Sequence, residues 1–535
     1  MLSSRHAASV ILTVAVLLFT LLGFVLIPLA GIQDDEALFT VPLFAGGYPP
    51  FSLNIFGHHP PLMVFAYTGA LKTYFFWPIF KLFAPSPYSL RIPVLLAGSI
   101  TILGLYYFAR KIAGPRAALF AALLLASDPT FLLSNTFDWG PVALQHLLLV
   151  AGLCLIVSGN LLTACFVFGL ALWEKSVFVW SIAGLIAGGL VAYGPAIRGA
   201  LFREGRLDKR RLAYAALAFV IGASPLIAYN IKSGNQTVHT AAHFSLQHLP
   251  LKAEELGLAL NGDGLFRFLA AEAWESNPKD VDSLPANIAE SIHDLSGDHR
   301  SSWFAYAAAL ALLAAPLWWR TPFQKPALFA MVFSAATFAC MAVTRDAGEA
   351  IHHTVLLWPM PQLFVGVVLT AMPLTGAPWR WLPGMLASLL VLSNLLVINQ
   401  YIFQLDQYGA DGGFTDASYP LSAQLPIAAG DKIYVMDWGL TETLTFLHRG
   451  KLSLLPAADP FFTAAPDADE RQMIAKLLSD PHGLFLGHVP EREVFTGVHQ
   501  RLDAAALAAG YRKQMLQVVS DSNGRPVFEI FRFQK

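Results

Sequence analysis

The amino-acid sequence predicts a polytopic α-helical membrane protein, with about eleven transmembrane helices and a soluble C-terminal α/β domain. Of the 535 residues, 55% are hydrophobic and only 13% are charged, whereas soluble domains carry about 25% charged residues. The mean hydropathy is +0.53. The composition becomes that of a soluble protein only after about residue 402. Most of the chain is therefore expected to be solvated by lipid.

Apolar runs that are long enough, or nearly long enough, to cross a bilayer define the predicted helices, since a span needs about 20 residues. The first run is longer than the core of a signal peptide and is interpreted as an uncleaved first helix. The runs lie at about 8–30, 92–109, 117–133, 140–158, 161–174, 177–195, 212–230, 301–318, 326–343, 353–372 and 382–401.

The aromatic-rich stretch 62–83 is ambiguous, because it contains Lys72 and Lys81. Cytoplasmic loops collect Lys and Arg. If 62–83 does not cross, Arg5 and the six basic residues between 198 and 211 lie on the same side of the membrane. The stretch is therefore predicted to form interfacial or re-entrant helices on the outer face, and the N-terminus is placed in the cytoplasm.

This topology predicts a membrane domain over 1–401, with outer loops at about 31–91 and 231–300, and an outer domain over 402–535. In the outer domain, DKIYVMDW and HGLFLGHV are predicted strands, and TETLTFLHRG and RLDAAALAAGYRK are predicted helices. The Asn-Gly pair in QMLQVVSDSNGRPVFEIFRF predicts a hairpin. The chain is expected in the plasma (inner) membrane, with this domain on the periplasmic or extracellular side.

Several function classes are disfavoured by the sequence. The net charge of −1 gives no indication of nucleic-acid binding. Cys154, Cys165 and Cys340 lie in apolar runs, which is typical of small buried side chains. There is no P-loop, no convincing dinucleotide fingerprint and no HExxH motif. No convincing metal-ligand spacing is present either, so neither a metal nor another cofactor is assigned.

Acidic residues at the predicted outer boundary are the candidate catalytic groups. Asp34, Asp35 and Glu36 directly follow the first helix, and Asp138 ends a very short outer turn. Desolvation and like charge raise the pKa of a carboxyl group, which suits it to accept a proton from a hydroxyl nucleophile. The alternative is structural: acids at the start of a helix are favoured by its dipole, and Asp138 fits an N-cap.

Basic residues on the same predicted side are the candidate anion-binding groups. A phosphate leaving group needs a clamp of cations to stabilise its developing charge. Each cation also has a structural alternative, such as a lysine that extends from a helix end to the interface. The candidates are His59, Arg91, Lys175, Arg345, His352 and His353.

The order of these motifs resembles a known superfamily. An apolar first helix is followed by DEALF, a loop ending in HHPPL, then SLRIPVLLAGSITILGLYYFARKIAGPRAALFAALLLASDPTFLL, FDWGPVAL and GLALWEKSVFV. This order is similar to that of the GT-C superfamily of membrane glycosyltransferases. It most resembles family 39 and its relatives, which include protein O-mannosyltransferases and bacterial lipid A aminoarabinose transferases. The resemblance covers about 31–185 and is thin afterwards.

The resemblance implies a reaction and roles for the candidate residues. Such enzymes transfer a sugar from a polyprenyl-phosphate donor to an acceptor hydroxyl at the outer face, with inversion. It implies that Asp35, with Glu36 beside it, acts as base or positions the acceptor. Asp138 is the second acid of the pattern, and Lys175 and Arg91 face the donor phosphate or hold the loop. The implied partners are the lipid-linked donor, membrane lipid, and a protein, lipid or glycan acceptor.

Two alternatives from other classes remain open. The same outer cations could serve a transporter or flippase of a lipid-linked anion, or the chain could be a catalytically inactive binding subunit of the same fold. The sequence shows no evident inverted repeat, and its acids lie at the outer surface rather than at mid-membrane, which argues against a transporter.

One departure from the family pattern generates a prediction. The family commonly has Lys-Pro-Pro where this chain has His59-Pro60-Pro61. Unlike a lysine, an unperturbed histidine loses its charge at about pH 6.5. If His59 binds the donor phosphate, the donor KM rises as the pH rises through the pKa of the imidazole. Steady-state kinetics over a pH series tests this. The prediction is wrong if the donor KM does not vary with pH and the His59→Ala variant has the same KM as wild type.

Overall fold

The structure is a computed structural model that describes residues 4–44, 51–203, 206–241, 243–279, 281–345, 347–372, 379–428 and 430–535. The first 408 residues are mainly helical, with two short hairpins, β1 (Met63–Phe65) with β2 (Thr68–Gly69) and β3 (Phe202–Arg203) with β4 (Arg206–Leu207). The helices are α1 (Ser4–Leu26), α2 (Asp34–Ala37), α3 (Val41–Phe44), α4 (Leu71–Leu82), α5 (Pro87–Ala113), α6 (Pro115–Ala126), α7 (Pro129–Ser134), α8 (Val142–Val157), α9 (Leu161–Glu174), α10 (Phe178–Leu201), α11 (Lys209–Ser233), α12 (Gln236–Ala241), α13 (Leu249–Asn261), α14 (Phe266–Leu269), α15 (Leu284–Ser296), α16 (Phe304–Leu313), α17 (Ala315–Trp318), α18 (Gln324–Ala342), α19 (Ile351–Thr354), α20 (Met360–Ala371) and α21 (Leu382–Tyr408).

The chain is an integral membrane protein. Within the described ranges, six helices are long and apolar enough to cross a membrane. The number rises to seven if the bent pair α19–α20 is counted as one span. Helices α6, α8, α9 and α16 are apolar but shorter, with 10 to 16 residues. At 1.5 Å per residue such helices reach at most about 24 Å, against a hydrocarbon core of about 30 Å. The predicted number of about eleven spans therefore stays a prediction.

The membrane helices pack closely where small residues face each other. Helix α9 runs against α11, and α10 runs against α18. A Cβ added to Gly169 on α9 would lie 2.2 Å from the carbonyl oxygen of Phe219, and one added to Gly222 on α11 would lie 2.2 Å from that of Phe166. Only glycine allows these two backbones to approach so closely, a common device in membrane helix pairs.

The ambiguous stretch 62–83 forms the β1–β2 hairpin and α4. Helix α4 has 12 residues, which corresponds to about 18 Å and is too short to cross a bilayer. It exposes Trp77 and Leu82 while burying Lys72 and Phe76. This amphipathic arrangement agrees with an interfacial helix.

The C-terminal part contains a five-stranded sheet in the order β6-β5-β7-β9-β8, in which β5 is parallel to β6 and β7, and β9 is antiparallel to β7 and β8. Successive residues of the central strands pack on opposite faces of the sheet, as Leu484 and Phe485 do. The elements are α22 (Ser418–Gln424), β5 (Lys432–Val435), α23 (Thr441–Leu447), β6 (Leu454–Pro456), α24 (Ala468–Leu478), β7 (Gly483–His488), α25 (Val498–Ala508), β8 (Arg512–Ser520) and β9 (Pro526–Gln534).

The predicted fold class is confirmed, because a mostly helical membrane part is joined to a sheet-containing C-terminal domain. The predicted strands correspond to β5 and β7, the predicted helices to α23 and α25, and the Asn-Gly hairpin to β8–β9. The sequence analysis missed β6 and α24. The proposed division at residue 402 stays a prediction, and α21 continues past it to Tyr408.

Candidate active site

Three adjacent carboxyl groups begin the loop that follows α1, and their side chains point in three directions. Gln33 caps the short helix α2, since its side-chain oxygen accepts a hydrogen bond from the Asp35 amide at 2.8 Å. Successive residues of a helix face different sides. Asp34 and Glu36 are 7% and 2% exposed, and Asp35 alone is partly open. The three acids therefore have different neighbours.

Glu36 is held by Arg91 of α5. Both Arg91 and Glu36 are almost fully buried, and Arg91 Nη2 lies 2.9 Å from Glu36 Oε2. The guanidinium also donates to the carbonyl oxygens of Ile27, Ala30 and Gly31 and lies over the ring of Phe137. These contacts use the donors of the guanidinium and favour an anchoring role for the pair. The predicted substrate roles of Glu36 and Arg91 stay predictions.

Asp138 is held by Lys72 of α4. The Lys72 ammonium lies 2.8 Å from Asp138 Oδ2, and both side chains are buried. Lys72 also donates to the carbonyl oxygen of Gly140 and lies over the ring of Phe39. This ion pair fastens α4 to the turn that carries Asp138. A buried charge is stable only when it is paired in this way.

Lys175 lies at the C-terminal end of α9, beside β2. Its backbone forms a bridge with Thr68 of β2, and the carboxylate of the preceding Glu174 accepts the amide of Lys72 at 3.1 Å. Lys175 is 5% exposed. Within the described part of the chain its ammonium makes no hydrogen bond, so its donors are available to a ligand.

The electrostatic surroundings link Asp35 and Lys175. Burial raises the pKa of Asp35, while a hydrogen bond from Gln33 and the ammonium groups of Lys175 and Lys72 oppose the rise. Burial lowers the pKa of Lys175 to about 8, against the attraction of Asp35, Asp138 and Glu174. Asp35 and Lys175 therefore lie close enough for each charge to affect the other.

The structure places two of the other predicted cations near Lys175 and leaves two exposed. Lys175 acts electrostatically on both His352 and His353, whose rings are 4.3 Å apart. His59 and Arg345 are exposed. The backbone amide of Arg345 donates to the His243 carbonyl. Donor-phosphate binding by all four residues stays a prediction.

Sequence reasoning missed several residues of the site: Gln33, Lys72, Glu174 and Glu442. The sequence could have indicated a role for Lys72, because a lysine inside an apolar stretch is energetically costly unless it is paired. Glu174 is adjacent to the lysine that was selected. Glu442 gave no local signal, because it reaches Asp34 across 408 residues of sequence.

A known protein family matches part of the chain. Residues 68–229 match the model of the family described as dolichyl-phosphate-mannose-protein mannosyltransferase. The matched range includes Lys72, Asp138 and Lys175 and begins after Asp35. A search of curated proteins returned no match.

Several solved structures have the same fold as this chain. ArnT from Cupriavidus metallidurans bound to undecaprenyl phosphate is 13% identical with a TM-score of 0.58, and the match covers 99% of this chain and 98% of ArnT. The Archaeoglobus fulgidus oligosaccharyltransferase tethered with an acceptor peptide is 12% identical with a TM-score of 0.51, covering 98% of this chain and 74% of that one. The same archaeal enzyme, AglB, in complex with an inhibitory peptide and a dolichol-phosphate, is 12% identical with a TM-score of 0.50, covering 100% of this chain and 75% of that one. The resemblance to the GT-C superfamily is thereby confirmed.

The anchoring role of the Arg91–Glu36 pair makes a stability prediction. Replacing Arg91 with Ala leaves a buried carboxylate without its cation, which typically costs about 3–5 kcal/mol. The variant is expected to show a lower Tm and a lower yield of folded protein in detergent. Arg110→Ala is the matched control, because Arg110 is an exposed residue of the same helix. Equal Tm values for the two variants would contradict the anchoring role.

Proposed function

We propose that this protein is an inverting glycosyltransferase that moves a sugar from a polyprenyl-phosphate donor to an acceptor hydroxyl at the outer face of the membrane. The observation that carries the proposal is the electrostatic proximity of Asp35 and Lys175. Asp35 is the partly open acid of α2, and Lys175 is a buried lysine whose ammonium is available to a ligand. The ligands of the matched structures, undecaprenyl phosphate and dolichol-phosphate, support a lipid-phosphate donor. A mannose-like sugar agrees with the name of the matched family.

The chemistry is a single displacement at the anomeric carbon. The acceptor oxygen forms a bond to that carbon as the bond from the carbon to the phosphate oxygen breaks. Asp35 accepts the hydroxyl proton, and polyprenyl phosphate leaves with the bonding electrons. Lys175 stabilises the charge that develops on the phosphate. Asp138 and Lys72 position the loop and the turn around the sugar.

An apolar groove beside α4 suits the lipid chain of the donor. It has a volume of about 710 Å³ and runs between α4 and α5. Its walls carry almost no polar surface, as an isoprenoid chain requires. The lining includes Phe75, Ile79, Phe83, Ile92, Leu96 and Ile100. In this proposal α4, which belongs to the stretch 62–83, covers the donor chain at the interface.

A transfer assay with the Asp35→Asn variant tests the proposal. Loss of the proton acceptor is expected to lower kcat by about 10²-fold or more, while binding of the polyprenyl phosphate is retained. Purified wild type and variant are assayed with a panel of polyprenyl-phosphate sugars, and lipid binding is measured in parallel. The absence of turnover by wild type with any donor, with tight lipid-phosphate binding by both proteins, would favour a transporter or a binding subunit instead.

The raised pKa of Asp35 and the lowered pKa of Lys175 predict a bell-shaped pH dependence of kcat/KM. Activity falls on the acid side as Asp35 becomes protonated, at a pH above that of an ordinary aspartate. It falls on the alkaline side, near the Lys175 value of about 8, as the ammonium loses its proton. Lys175→Arg keeps its charge, because arginine is always protonated, and should move the alkaline limb upward. An unchanged alkaline limb in that variant would exclude Lys175 as its origin.

A further inference from the structure

The β1–β2 hairpin lies directly against the backbone around Lys175. Its turn consists of Ala66 and Tyr67. The backbone amide of Ser176 donates to the Tyr67 carbonyl oxygen at 2.9 Å, and Thr68 forms a backbone bridge with Lys175. The position of the turn relative to Lys175 is therefore set by backbone contacts and does not depend on a flexible side chain.

Further contacts hold the same hairpin on its other sides. The indole of Trp173 donates to the Leu62 carbonyl oxygen at 2.7 Å. A Cβ added to Gly69 would lie 2.1 Å from the carbonyl oxygen of Trp173, so the two backbones touch. The hydroxyl of Thr237 on α12 donates to the Ala66 carbonyl oxygen at 2.5 Å. Helices α9 and α12 thus fix the strands and the turn, and the side chains of the turn are held in place beside the site.

Tyr67 offers a hydroxyl donor beside the two proposed reactive groups. Its side chain is partly buried, and within the described ranges its hydroxyl makes no hydrogen bond. Burial, together with the charge of Asp35, raises the pKa of the Tyr67 phenol, so the hydroxyl keeps its proton at neutral pH. A protonated phenol without a partner in the protein can donate to a ligand.

An exposed aromatic ring lies next to this phenol. Phe65, the last residue of β1, stacks on Tyr67 with ring centroids 6.2 Å apart and an interplanar angle of 28°. Of the Phe65 surface, 41% is exposed. The C–H groups on the face of a pyranose pack well on an aromatic ring, because the face of the ring is electronegative. A hydroxyl donor beside an exposed ring therefore suits a sugar, which has hydroxyl groups at its edge and C–H groups on its face.

The neighbours of Tyr67 indicate which group of the reactants it meets. In the proposed reaction Lys175 binds the phosphate, and the donor sugar is bonded directly to that phosphate. Asp35 takes the proton from the oxygen that attacks the anomeric carbon of the same sugar. Tyr67 has its backbone fixed beside Lys175 and its phenol within reach of the Asp35 charge. The group that lies between the phosphate and the attacking oxygen is the donor sugar.

We propose that Tyr67 and Phe65 form the subsite for the donor sugar: the Tyr67 hydroxyl donates to a sugar hydroxyl, and the Phe65 ring packs on the C–H face of the sugar. This inference rests on the proposed function for the identity of the donor. It assigns recognition of the sugar to the β1–β2 hairpin, whereas Lys175 binds the phosphate and the apolar groove binds the lipid chain.

The test compares lipids that carry the same charge on the phosphate. Polyprenyl-phosphate mannose, glucose and galactose are each compared with polyprenyl methyl phosphate. All are phosphodiesters with a single negative charge, so they differ only in the group that replaces the sugar. Binding of each lipid to the full-length protein is measured in detergent, and glycosyl transfer is measured in parallel.

The variants separate the hydroxyl from the ring. Tyr67→Phe removes only the hydroxyl, and Phe65→Leu removes the aromatic ring but keeps an apolar side chain. Lys175→Ala removes the proposed phosphate ligand. Tyr214→Phe is the matched control, because Tyr214 is an exposed tyrosine of α11.

Wild type is expected to bind one of the sugar lipids more tightly than the methyl diester. Tyr67→Phe should weaken that binding about threefold to tenfold, as expected for one lost hydrogen bond, and leave the affinity for the methyl diester unchanged. Phe65→Leu should act in the same direction. Lys175→Ala should weaken the binding of both lipids, because both carry the phosphate. In transfer, Tyr67→Phe should lower kcat/KM for the donor and leave the acceptor KM unchanged.

Equal losses for the sugar lipid and the methyl diester in Tyr67→Phe would show that Tyr67 only supports the hairpin, and would overturn the inference. A wild type that prefers no sugar lipid, a Tyr67→Phe variant that behaves like Tyr214→Phe, or a change in the acceptor KM alone would overturn it as well. Failure of the proposed function is distinguishable, since it would appear as absent turnover in wild type while the binding measurements still report the sugar contact.

Discussion

Three carboxylates on one helical turn at a membrane boundary repel one another, and the structure depends on how that repulsion is removed. Glu36 is neutralised by Arg91 in a buried ion pair, and Asp34 bonds Glu442 of the C-terminal domain. Asp35 is left partly open and oriented by Gln33. Separation of the three side chains is what leaves one of them available as a base.

Two buried ion pairs and the contacts with the C-terminal domain connect the parts of the molecule. The Arg91–Glu36 pair ties the loop to α5, and the Lys72–Asp138 pair ties α4 to the turn before α8. Contacts from Phe414, Tyr419 and α23 tie the loop to the C-terminal domain. The membrane helices, α4 and the C-terminal domain therefore meet at one site. Because these ion pairs are buried, removing one partner leaves the other charge without compensation and destabilises the fold.

The features that the sequence predicted are those that a local sequence pattern determines. Apolar runs located the membrane helices, and continuous apolar segments located the buried strands β5 and β7. Asp35, Asp138 and Lys175 were selected because charges near lipid are costly. The partners of Glu36 and Asp34 were not predictable, because Arg91 lies 55 residues from Glu36 and Glu442 lies 408 residues from Asp34. Strand β6 was missed because three residues ending in proline have no strand signal.

The most direct test of this account compares Asp34→Asn, Asp35→Asn and Glu36→Gln side by side for glycosyl transfer and for Tm. The account predicts that Asp35→Asn loses turnover with an unchanged Tm. Glu36→Gln should lower Tm, because it leaves Arg91 without its counter-charge, and Asp34→Asn should keep turnover. Retained turnover in Asp35→Asn, or loss of turnover in Glu36→Gln with an unchanged Tm, would contradict the separation of roles.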